Sequence, residues 1–167
     1  ATKSYELIAE NVAAVKENMR QAALAAGRNP EDITLVAATK VQTSETIRNA
    51  IKVYNASRAA RREFVKLASD HCDVINPIQR SAVLKASWFM LKDEYTEKLV
   101  ALNNELKTLP VCDWKGVKVV TSGIICDNPE LLKIFDDNNI AIAADDVAHE
   151  TRAFRVDASE EGDPMLA

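Results

Sequence analysis

Three short polar stretches carry residues whose types and spacing could support binding or chemistry. The first ends in Lys40, which follows a predicted buried strand over residues 33–39. The second begins at Ser122-Gly123 and the third at Asp145-Asp146, and each pair lies at the end of a predicted strand. Ligands bind beyond the carboxyl ends of the strands in an open parallel sheet, so the three stretches are predicted to share one edge. The sequence therefore predicts a shallow anion-accepting cleft, with a salt bridge and an adventitious sulfate as the simpler alternative.

The loop over residues 122–129 joins a predicted strand to a predicted helix. Asn128 is a typical helix N-cap, and Pro129 suits the first helical position. Free N–H groups and the helix dipole favour an anion at this N-terminus, such as a CoA phosphate or a sulfate. Ser122, Gly123 and Asn128 are the predicted contacts. A single glycine falls far short of a GxGxxG motif, so an ordinary strand-to-helix turn is the alternative.

The remaining chemical groups have simple structural interpretations. Asp145 and Asp146 are paired carboxylates that could do acid–base work, but a helix cap and a solvated carboxylate explain them equally well. His149 lies one turn further on with no second histidine near it in sequence, so no metal site is predicted. A cluster of arginines is predicted to form a solvated helix face, with an anion contact as the alternative: Arg58, Arg61 and Arg62.

The composition is that of an ordinary globular protein. Of the 167 residues, 47% are apolar and 28% are charged, which suits one domain with a buried core. A net charge of −4 gives no support for a nucleic-acid partner, and no apolar run is long enough to span a membrane. Charged residues interrupt the N-terminal region, so no signal core is predicted. These features predict a cytoplasmic protein.

The cysteine pattern excludes two common sites. Cys72, Cys112 and Cys126 are far apart in sequence and form no CxxC pair. Neither a zinc ribbon nor a thioredoxin motif is therefore present. An odd number of widely spaced cysteines suits a reducing cytosol.

The N-terminal residues are predicted to form a helix, a turn and a strand. Apolar residues recur at helical spacing from an N-cap at Ser4 to a stop at Gly27. Residues 29–32, Asn-Pro-Glu-Asp, are typical of a turn. The apolar run over residues 33–39 is too short for a helix between such stops and predicts a strand.

Two further helices are predicted between residues 43 and 107. Thr43 or Ser44 caps the first of them, and Asn76-Pro77 separates it from the second. The second is predicted to run unbroken from about residue 78 to residue 107. Its apolar stripe predicts that Trp88 is buried, and the stripe comprises Leu84, Trp88, Leu91, Tyr95, Leu99, Leu102 and Leu106.

The remaining residues predict a strand, a helix and a strand. Strands over residues 117–122 and 140–144 flank a helix that begins at Pro129 and ends near Asn138. A short helical crossover of this kind makes the two strands parallel. The predicted fold is α/β: helix-rich, with a small parallel sheet that is flavodoxin- or Rossmann-like. Three predicted strands cannot cover so many helices, which predicts a homo-oligomer.

Five long runs of residues point to one enzyme family. They are AIKVYN at 50–55, SRAARREF at 57–64, FMLKDEYTEKL at 89–99, SGII at 122–125 and AIAADD at 141–146. From about residue 50 to residue 166, the chain resembles the beta subunit of 2-hydroxyglutaryl-CoA dehydratase.

Three runs near the N-terminus point to a different family. They are IAENV at 8–12, AAGRNPE at 25–31 and LVAATK at 35–40. These runs resemble the YggS-type pyridoxal-phosphate-binding proteins. Together the two resemblances predict a chimera with its junction between Thr43 and Ala50, whether it is a natural fusion, a designed protein or an assembly artefact.

The chimera divides the sequence into three predicted regions that pack as one domain. Residues 1–45 form the YggS-like helix–strand fragment. Residues 46–110 form a long, dehydratase-like helical segment, and residues 111–167 form a partial flavodoxin-like unit.

The resemblance to the pyridoxal-phosphate-binding family implies a role for Lys40. The matching lysine of that family forms a Schiff base with pyridoxal phosphate, and imine chemistry needs an amine whose pKa is lowered. The part of that family's barrel that binds the phosphate has no counterpart in this sequence. An ordinary surface lysine is therefore the alternative.

The dehydratase resemblance implies an oxygen-sensitive heterodimer with iron–sulfur clusters. Such an enzyme removes water from a 2-hydroxyacyl-CoA after one-electron transfer from an ATP-dependent activator. Cluster ligation needs several converging cysteines, and the three cysteines here are not predicted to converge. We therefore expect no cofactor, and a structural chimera or fragment that is not catalytically competent alone. The alternatives are an active dehydratase component with a partner subunit, and a pyridoxal-phosphate-binding protein acting through Lys40.

Overall fold

Helices dominate the computed structural model, which describes residues 2–33 and 43–162. The chain folds as two compact units, residues 1–42 and residues 43–167. The second unit contains a small parallel sheet, so the predicted helix-rich α/β class is confirmed. Within the described ranges, no helix combines the length and the apolar character needed to cross a membrane.

The first unit consists of a long helix followed by a turn. Helix α1 spans Thr2–Ala25, so it begins before Ser4, and the predicted N-cap at Ser4 is wrong. The chain leaves the helix through Gly27, whose φ of 66° is readily available only to glycine. The Arg28 amide donates to the Ala23 carbonyl at 2.9 Å, which closes the helix end. A single 3₁₀ turn follows over Pro30–Asp32.

The strand predicted over residues 33–39 falls outside the described residues, apart from Ile33. Ile33 itself has extended backbone angles, with φ −108° and ψ 117°. The three-stranded sheet expected from the sequence therefore stays a prediction.

The second unit begins with two capped helices. Helix α2 spans Ser44–Asp70, and the Thr43 side chain accepts a hydrogen bond from the Thr46 amide at 3.2 Å, as predicted. Helix α3 spans Pro77–Ala86. Its first turn has a capping box, in which Asn76 and Gln79 each accept from the other's backbone amide at 2.8 and 3.0 Å.

The predicted single helix over residues 78–107 is wrong, because the helix is interrupted at residues 87–91. Helix α3 ends at Ala86, and helix α4 spans Lys92–Leu106. The Ser87 hydroxyl donates to the Leu84 carbonyl at 2.8 Å, a local bond that competes with the helical ladder. The four residues Trp88 to Leu91 are all apolar. A continuous helix would distribute their side chains around its whole circumference, so they could not all face the core.

The predicted burial of Trp88 is also wrong, because 58% of its surface is exposed. The neighbouring Phe89 and Leu91 are 80% and 73% exposed. The rest of the predicted stripe is correct for the most part, since Leu84, Tyr95, Leu99 and Leu106 are buried.

The sheet has two parallel strands in the part of the chain that the structure describes. Strand β1 spans Val117–Gly123, helix α5 spans Pro129–Asp137, and strand β2 spans Ile140–Val147. This arrangement confirms the predicted crossover. Glycine is required at Gly116, because an ideal Cβ would lie 2.0 Å from the Asn139 carbonyl oxygen.

The core lies between helix α2, helix α4 and the short helix α6, which spans Thr151–Phe154. Phe64 and Phe154 are almost fully buried at its centre. Asn103 on α4 donates to the Ala60 carbonyl on α2 at 2.9 Å, which ties the two helices together. The other buried members of the cluster are Ala60, Ala68, Leu84, Tyr95, Leu99 and Leu106.

Candidate functional site

The carboxyl ends of β1 and β2 lie at the same edge of the sheet. Ser122 pairs with Asp146, and Gly123 pairs with Val147. Ser122-Gly123 and Asp145-Asp146 therefore share one edge, as the sequence predicts. Lys40, the third predicted group, lies outside the described residues, so its place at this edge stays a prediction.

The loops that leave the two strands remain hydrogen-bonded to each other. The Ala148 amide donates to the Gly123 carbonyl at 3.0 Å, and the His149 amide donates to the Ile124 carbonyl at 3.2 Å. Gly123 has a φ of +151°, which an L side chain rarely adopts. These bonds hold the loop after β1 beside the turn after β2.

A cavity of about 250 Å³ opens between these loops and helix α3. Trp88 and Phe89, from the break between α3 and α4, supply much of its apolar wall together with Ile125. The full set of lining residues is Ser81, Leu84, Lys85, Trp88, Phe89, Ile125, Cys126, Asp127, His149 and Glu150. We call this space the strand-end cavity.

Two contacts join the opposite sides of the strand-end cavity. The ring centroids of Trp88 and His149 are 5.6 Å apart, with an angle of 39° between the planes. Lys85 on α3 forms an ion pair with Asp127 in the loop after β1. Both contacts connect the α3 side of the cavity to the strand-end loops.

A buried ion cluster lies beside the cavity and fixes the end of β2. Arg80 is 3% exposed and donates to both Asp145 and Glu150. Asp145 also accepts from the amides of Val147 and Thr151 at 3.1 and 3.0 Å. These contacts tie helix α3 to the end of β2 and to the turn that carries His149, although the Nε atom of Arg80 is buried without a hydrogen-bond partner among the described residues.

The two carboxylates on Arg80 have opposite pKa shifts. Burial alone would raise the pKa of Asp145, but the hydrogen bonds from Thr151 and the charge of Arg80 outweigh it and lower the pKa overall. Burial raises the pKa of Glu150, despite its own contact with Arg80. Of these two carboxylates, Asp145 is therefore the one that stays ionised to lower pH.

Neither Asp145 nor Asp146 is arranged as a free acid or base. Asp145 is held by Arg80 and Thr151. Hydrogen bonds from Arg152 and Arg155 lower the pKa of Asp146. The simpler interpretation of this pair, structural rather than acid–base, is the one that the contacts favour.

Asn128 acts as the N-cap of α5. Its side-chain oxygen accepts from the amides of Glu130 and Leu131 at 2.9 and 3.1 Å. These two backbone amides belong to the helix N-terminus at which the sequence predicts a bound anion, and both already donate to Asn128. The anion contacts predicted at Ser122, Gly123 and Asn128 stay predictions.

The arginine cluster on α2 is not the solvated face that the sequence predicts. Arg61 is only 5% exposed, and its guanidinium lies 4.7 Å from the centroid of the Phe154 ring. Arg62 instead pairs with Asp157 at 2.9 Å. Helical periodicity could not reveal this difference, because Phe154 is remote in sequence from α2.

The family described as 2-hydroxyglutaryl-CoA dehydratase, D-component, matches residues 33–167. The chain belongs to this family. The match begins at residue 33, so Lys40 and the predicted junction at residues 43–50 both lie inside the dehydratase-component match.

Three relatives of this family are dehydratase beta subunits. The chain is 59% identical over 124 residues to (R)-2-hydroxyglutaryl-CoA dehydratase, subunit beta, of Acidaminococcus fermentans, covering 74% of this chain and 33% of the relative. It is 39% identical over 137 residues to the (R)-phenyllactyl-CoA dehydratase beta subunit of Clostridium sporogenes, covering 82% and 36%. It is 45% identical over 124 residues to the lactoyl-CoA dehydratase subunit beta of Anaerotignum propionicum, covering 74% and 33%. The chain thus spans about a third of the length of these relatives.

The cysteines of this dehydratase-family chain do not converge on a metal site. Cys72 is buried just past the end of α2, whereas Cys126 lines the strand-end cavity. Among the described residues, no group of three or more His, Cys, Asp or Glu side chains could hold a metal ion. These residues do not fit an iron–sulfur cluster held by this chain alone.

Cys126 is also a poor nucleophile in its present surroundings. Burial raises the pKa of its thiol, and the charge of Glu150 raises it further. Because the thiolate is the reactive form, the thiol is held in its less reactive, protonated state.

Sequence reasoning did not single out Arg80, Ser81, Phe89 or Glu150 as part of a site. Arg80 and Ser81 lie inside a helix with no motif around them. Phe89 did carry a signal, because four consecutive apolar residues cannot share one face of a helix. That run marks both the helix break and the cavity wall.

Proposed function

We propose that this chain contributes ligand-binding surface to a 2-hydroxyacyl-CoA dehydratase, acts with a partner subunit and is not catalytically competent alone. The observation that carries the proposal is the strand-end cavity, all of whose lining residues fall within the dehydratase family match. The names of the three relatives all describe beta subunits of dehydratases for 2-hydroxyacyl-CoA thioesters. The edge beyond the strands is also where open parallel sheets bind ligands.

The size of the strand-end cavity limits how much of a CoA thioester it can hold. Sites that enclose a drug-sized ligand typically measure roughly 300–1,000 Å³. The strand-end cavity is about 250 Å³, so it suits one end of the ligand. We infer that the acyl and pantetheine arm lies against Trp88, Phe89 and Ile125, since these side chains are apolar.

The chemistry available inside the cavity supports a binding role. The Glu150 carboxylate is engaged by Arg80, and the Asp127 carboxylate is engaged by Lys85. Cys126 has a raised pKa. We propose that the groups that remove water from a 2-hydroxyacyl-CoA come from the partner subunit, so that both subunits are required.

Calorimetric titration of the chain with (R)-2-hydroxyglutaryl-CoA tests the proposal. We expect saturable binding, and weaker binding by Trp88→Ala, because the exposed indole would lose its contact with the acyl arm. Trp114→Phe is the matched control and should bind as the unchanged chain does, since Trp114 does not line the cavity. An absence of binding, or equal affinity for the Trp88→Ala variant, would contradict the proposal.

We also propose that the chain carries no cofactor of its own, and the spectrum of freshly purified anaerobic protein tests this. A colourless protein is the expected result. A brown protein would indicate an iron–sulfur cluster and overturn the proposal. A yellow band that disappears with borohydride, and is absent from Lys40→Ala, would instead favour the pyridoxal-phosphate alternative and the predicted chimera.

A further inference from the structure

A second cavity lies next to the first and is lined by cations. It measures about 130 Å³, and Trp88 lines both cavities. Its walls contain two arginines and one lysine but no carboxylate: Tyr54, Arg58, Arg61, Ser87, Trp88, Lys92 and Ala153. We call it the cationic pocket.

Arg61 is the most deeply buried of the three cations. It is 5% exposed, and its Nε atom donates to the Ser57 carbonyl at 3.4 Å. Its guanidinium otherwise packs over the Phe154 ring. In the described part of the chain Arg61 forms no ion pair, and a buried guanidinium without a carboxylate is costly.

Lys92 is the second cation and it faces Arg61. Its ammonium donates to the Ser87 carbonyl at 2.7 Å and lies 5.3 Å from the centroid of the Tyr54 ring. Burial lowers the pKa of Lys92, and the charge of Arg61 lowers it further. The two cations therefore repel each other across a partly desolvated space.

Arg58 is the third cation, and an acid whose pKa it lowers, Asp157, is already paired with another arginine. Arg58 donates to the Asn55 side chain at 2.8 Å. Asp157 is close enough for the charge of Arg58 to lower its pKa, but its carboxylate forms a bidentate contact with Arg62 at 2.9 Å. Asp157 is not part of the pocket lining, so the charge of the pocket itself remains uncompensated by these residues.

We propose that the cationic pocket binds a phosphate group. A phosphate dianion would offset the repulsion between Arg61 and Lys92. A guanidinium also presents paired N–H donors, which can form two hydrogen bonds to phosphate oxygens. The volume suits one phosphate group and is too small for a nucleotide. The phosphate can belong to free inorganic phosphate or to CoA, whose acyl arm would then lie on the other side of Trp88.

Phosphate titration of the full chain, at constant ionic strength set with chloride, tests the site. We expect saturable binding that weakens about tenfold or more in Lys92→Met and in Arg58→Gln, since each loses a charged donor. The matched control is Lys98→Met on the same helix, because Lys98 pairs with the exposed Glu94 at 2.9 Å. Its affinity for phosphate should not change.

Stability measurements separate a lost site from a damaged fold. Without phosphate, Lys92→Met should unfold at the same or a higher denaturant concentration than the unchanged chain, because repulsion from Arg61 is removed. At one phosphate concentration, phosphate should raise the midpoint of the unchanged chain by more than that of Lys92→Met. No saturable phosphate binding by the unchanged chain, or unchanged affinity in both Lys92→Met and Arg58→Gln, would overturn the proposal.

Comparison of CoA, dephospho-CoA and inorganic phosphate identifies the source of the phosphate group. Binding of CoA that is tighter than that of the other two and is lost in Lys92→Met assigns the pocket to the 3′-phosphate of CoA. Equal binding of inorganic phosphate assigns it to a free phosphate. The phosphate result does not depend on the proposed dehydratase role, so failure of acyl-CoA binding in the strand-end cavity would leave it standing.

Discussion

The indole of Trp88 lies against the imidazole of His149, with ring centroids 5.6 Å apart. Trp88 comes from the break between α3 and α4, whereas His149 follows β2. The pair therefore joins the helical part of the second unit to the edge of its sheet. Trp88 nevertheless stays 58% exposed, so it is a wall of the strand-end cavity and not part of the core.

Replacement of Trp88 should affect stability far less than replacement of a core residue. We expect Trp88→Ala to cost about 1 kcal/mol or less, because the side chain is mostly exposed. Phe64→Ala should cost about 3–5 kcal/mol, because Phe64 is fully buried. Denaturant unfolding of the two variants measures both values. A similar decrease in the free energy of unfolding for both variants would mean that Trp88 is buried in solution.

Removal of Arg80 should be strongly destabilising. Arg80→Met would leave the carboxylates of Asp145 and Glu150 buried without their cation, at a cost of about 3–5 kcal/mol. Arg152→Gln is the matched control, since Arg152 forms an exposed pair with Asp146 and should have little effect. Equal unfolding midpoints for both variants would contradict the buried ion cluster.

Glu150 should make the protein more stable at mildly acidic pH than at neutral pH. Its pKa is raised in the folded state from an ordinary value of 4.5, so the folded protein binds this proton more tightly than the unfolded chain does. Stability from this group is therefore lost as pH rises from 4.5 through the folded pKa. Glu150→Gln should remove this decrease in stability with rising pH. Denaturant unfolding of both proteins at several pH values measures the difference. Parallel pH profiles for the two proteins would mean that the pKa of Glu150 is not raised.

The exposed apolar residues at the helix break should promote self-association. Phe89 is 80% exposed and Leu91 is 73% exposed, in the same segment as Trp88. Light scattering should show a mass that increases with concentration, and the double variant Phe89→Ser, Leu91→Ser should reduce this increase. A clean monomer over a wide range of concentration for the unchanged chain would refute the predicted homo-oligomer.

Local sequence signals were sufficient to predict the crossover and the N-caps of α2 and α5, although not the start of α1. Asn128-Pro129 marks the start of α5, and Thr43 caps α2, because capping depends on residues within one turn. The shared edge of Ser122 and Asp146 followed from the parallel crossover alone.

The helix break was not predicted, because the apolar period continues across Ser87 and periodicity alone joins α3 to α4, although the Ser87 hydroxyl bonds locally. Other features could not be predicted because they depend on contacts between remote residues. The burial of Arg61 depends on Phe154, and the partners of Arg80 lie on β2 and in the turn after it. Pairings of this kind are set by tertiary packing, which a one-dimensional pattern does not record.

Fluorescence of Trp88 gives the most direct test of the proposed binding of 2-hydroxyacyl-CoA at the strand-end cavity. The chain has two tryptophans, so the Trp114→Phe variant leaves Trp88 as the sole indole. Titration of this variant with (R)-2-hydroxyglutaryl-CoA should shift the emission of Trp88 to shorter wavelength in a saturable way, because the ligand covers an indole that is 58% exposed. Emission that stays unchanged while calorimetry records binding would place the ligand elsewhere and contradict the account.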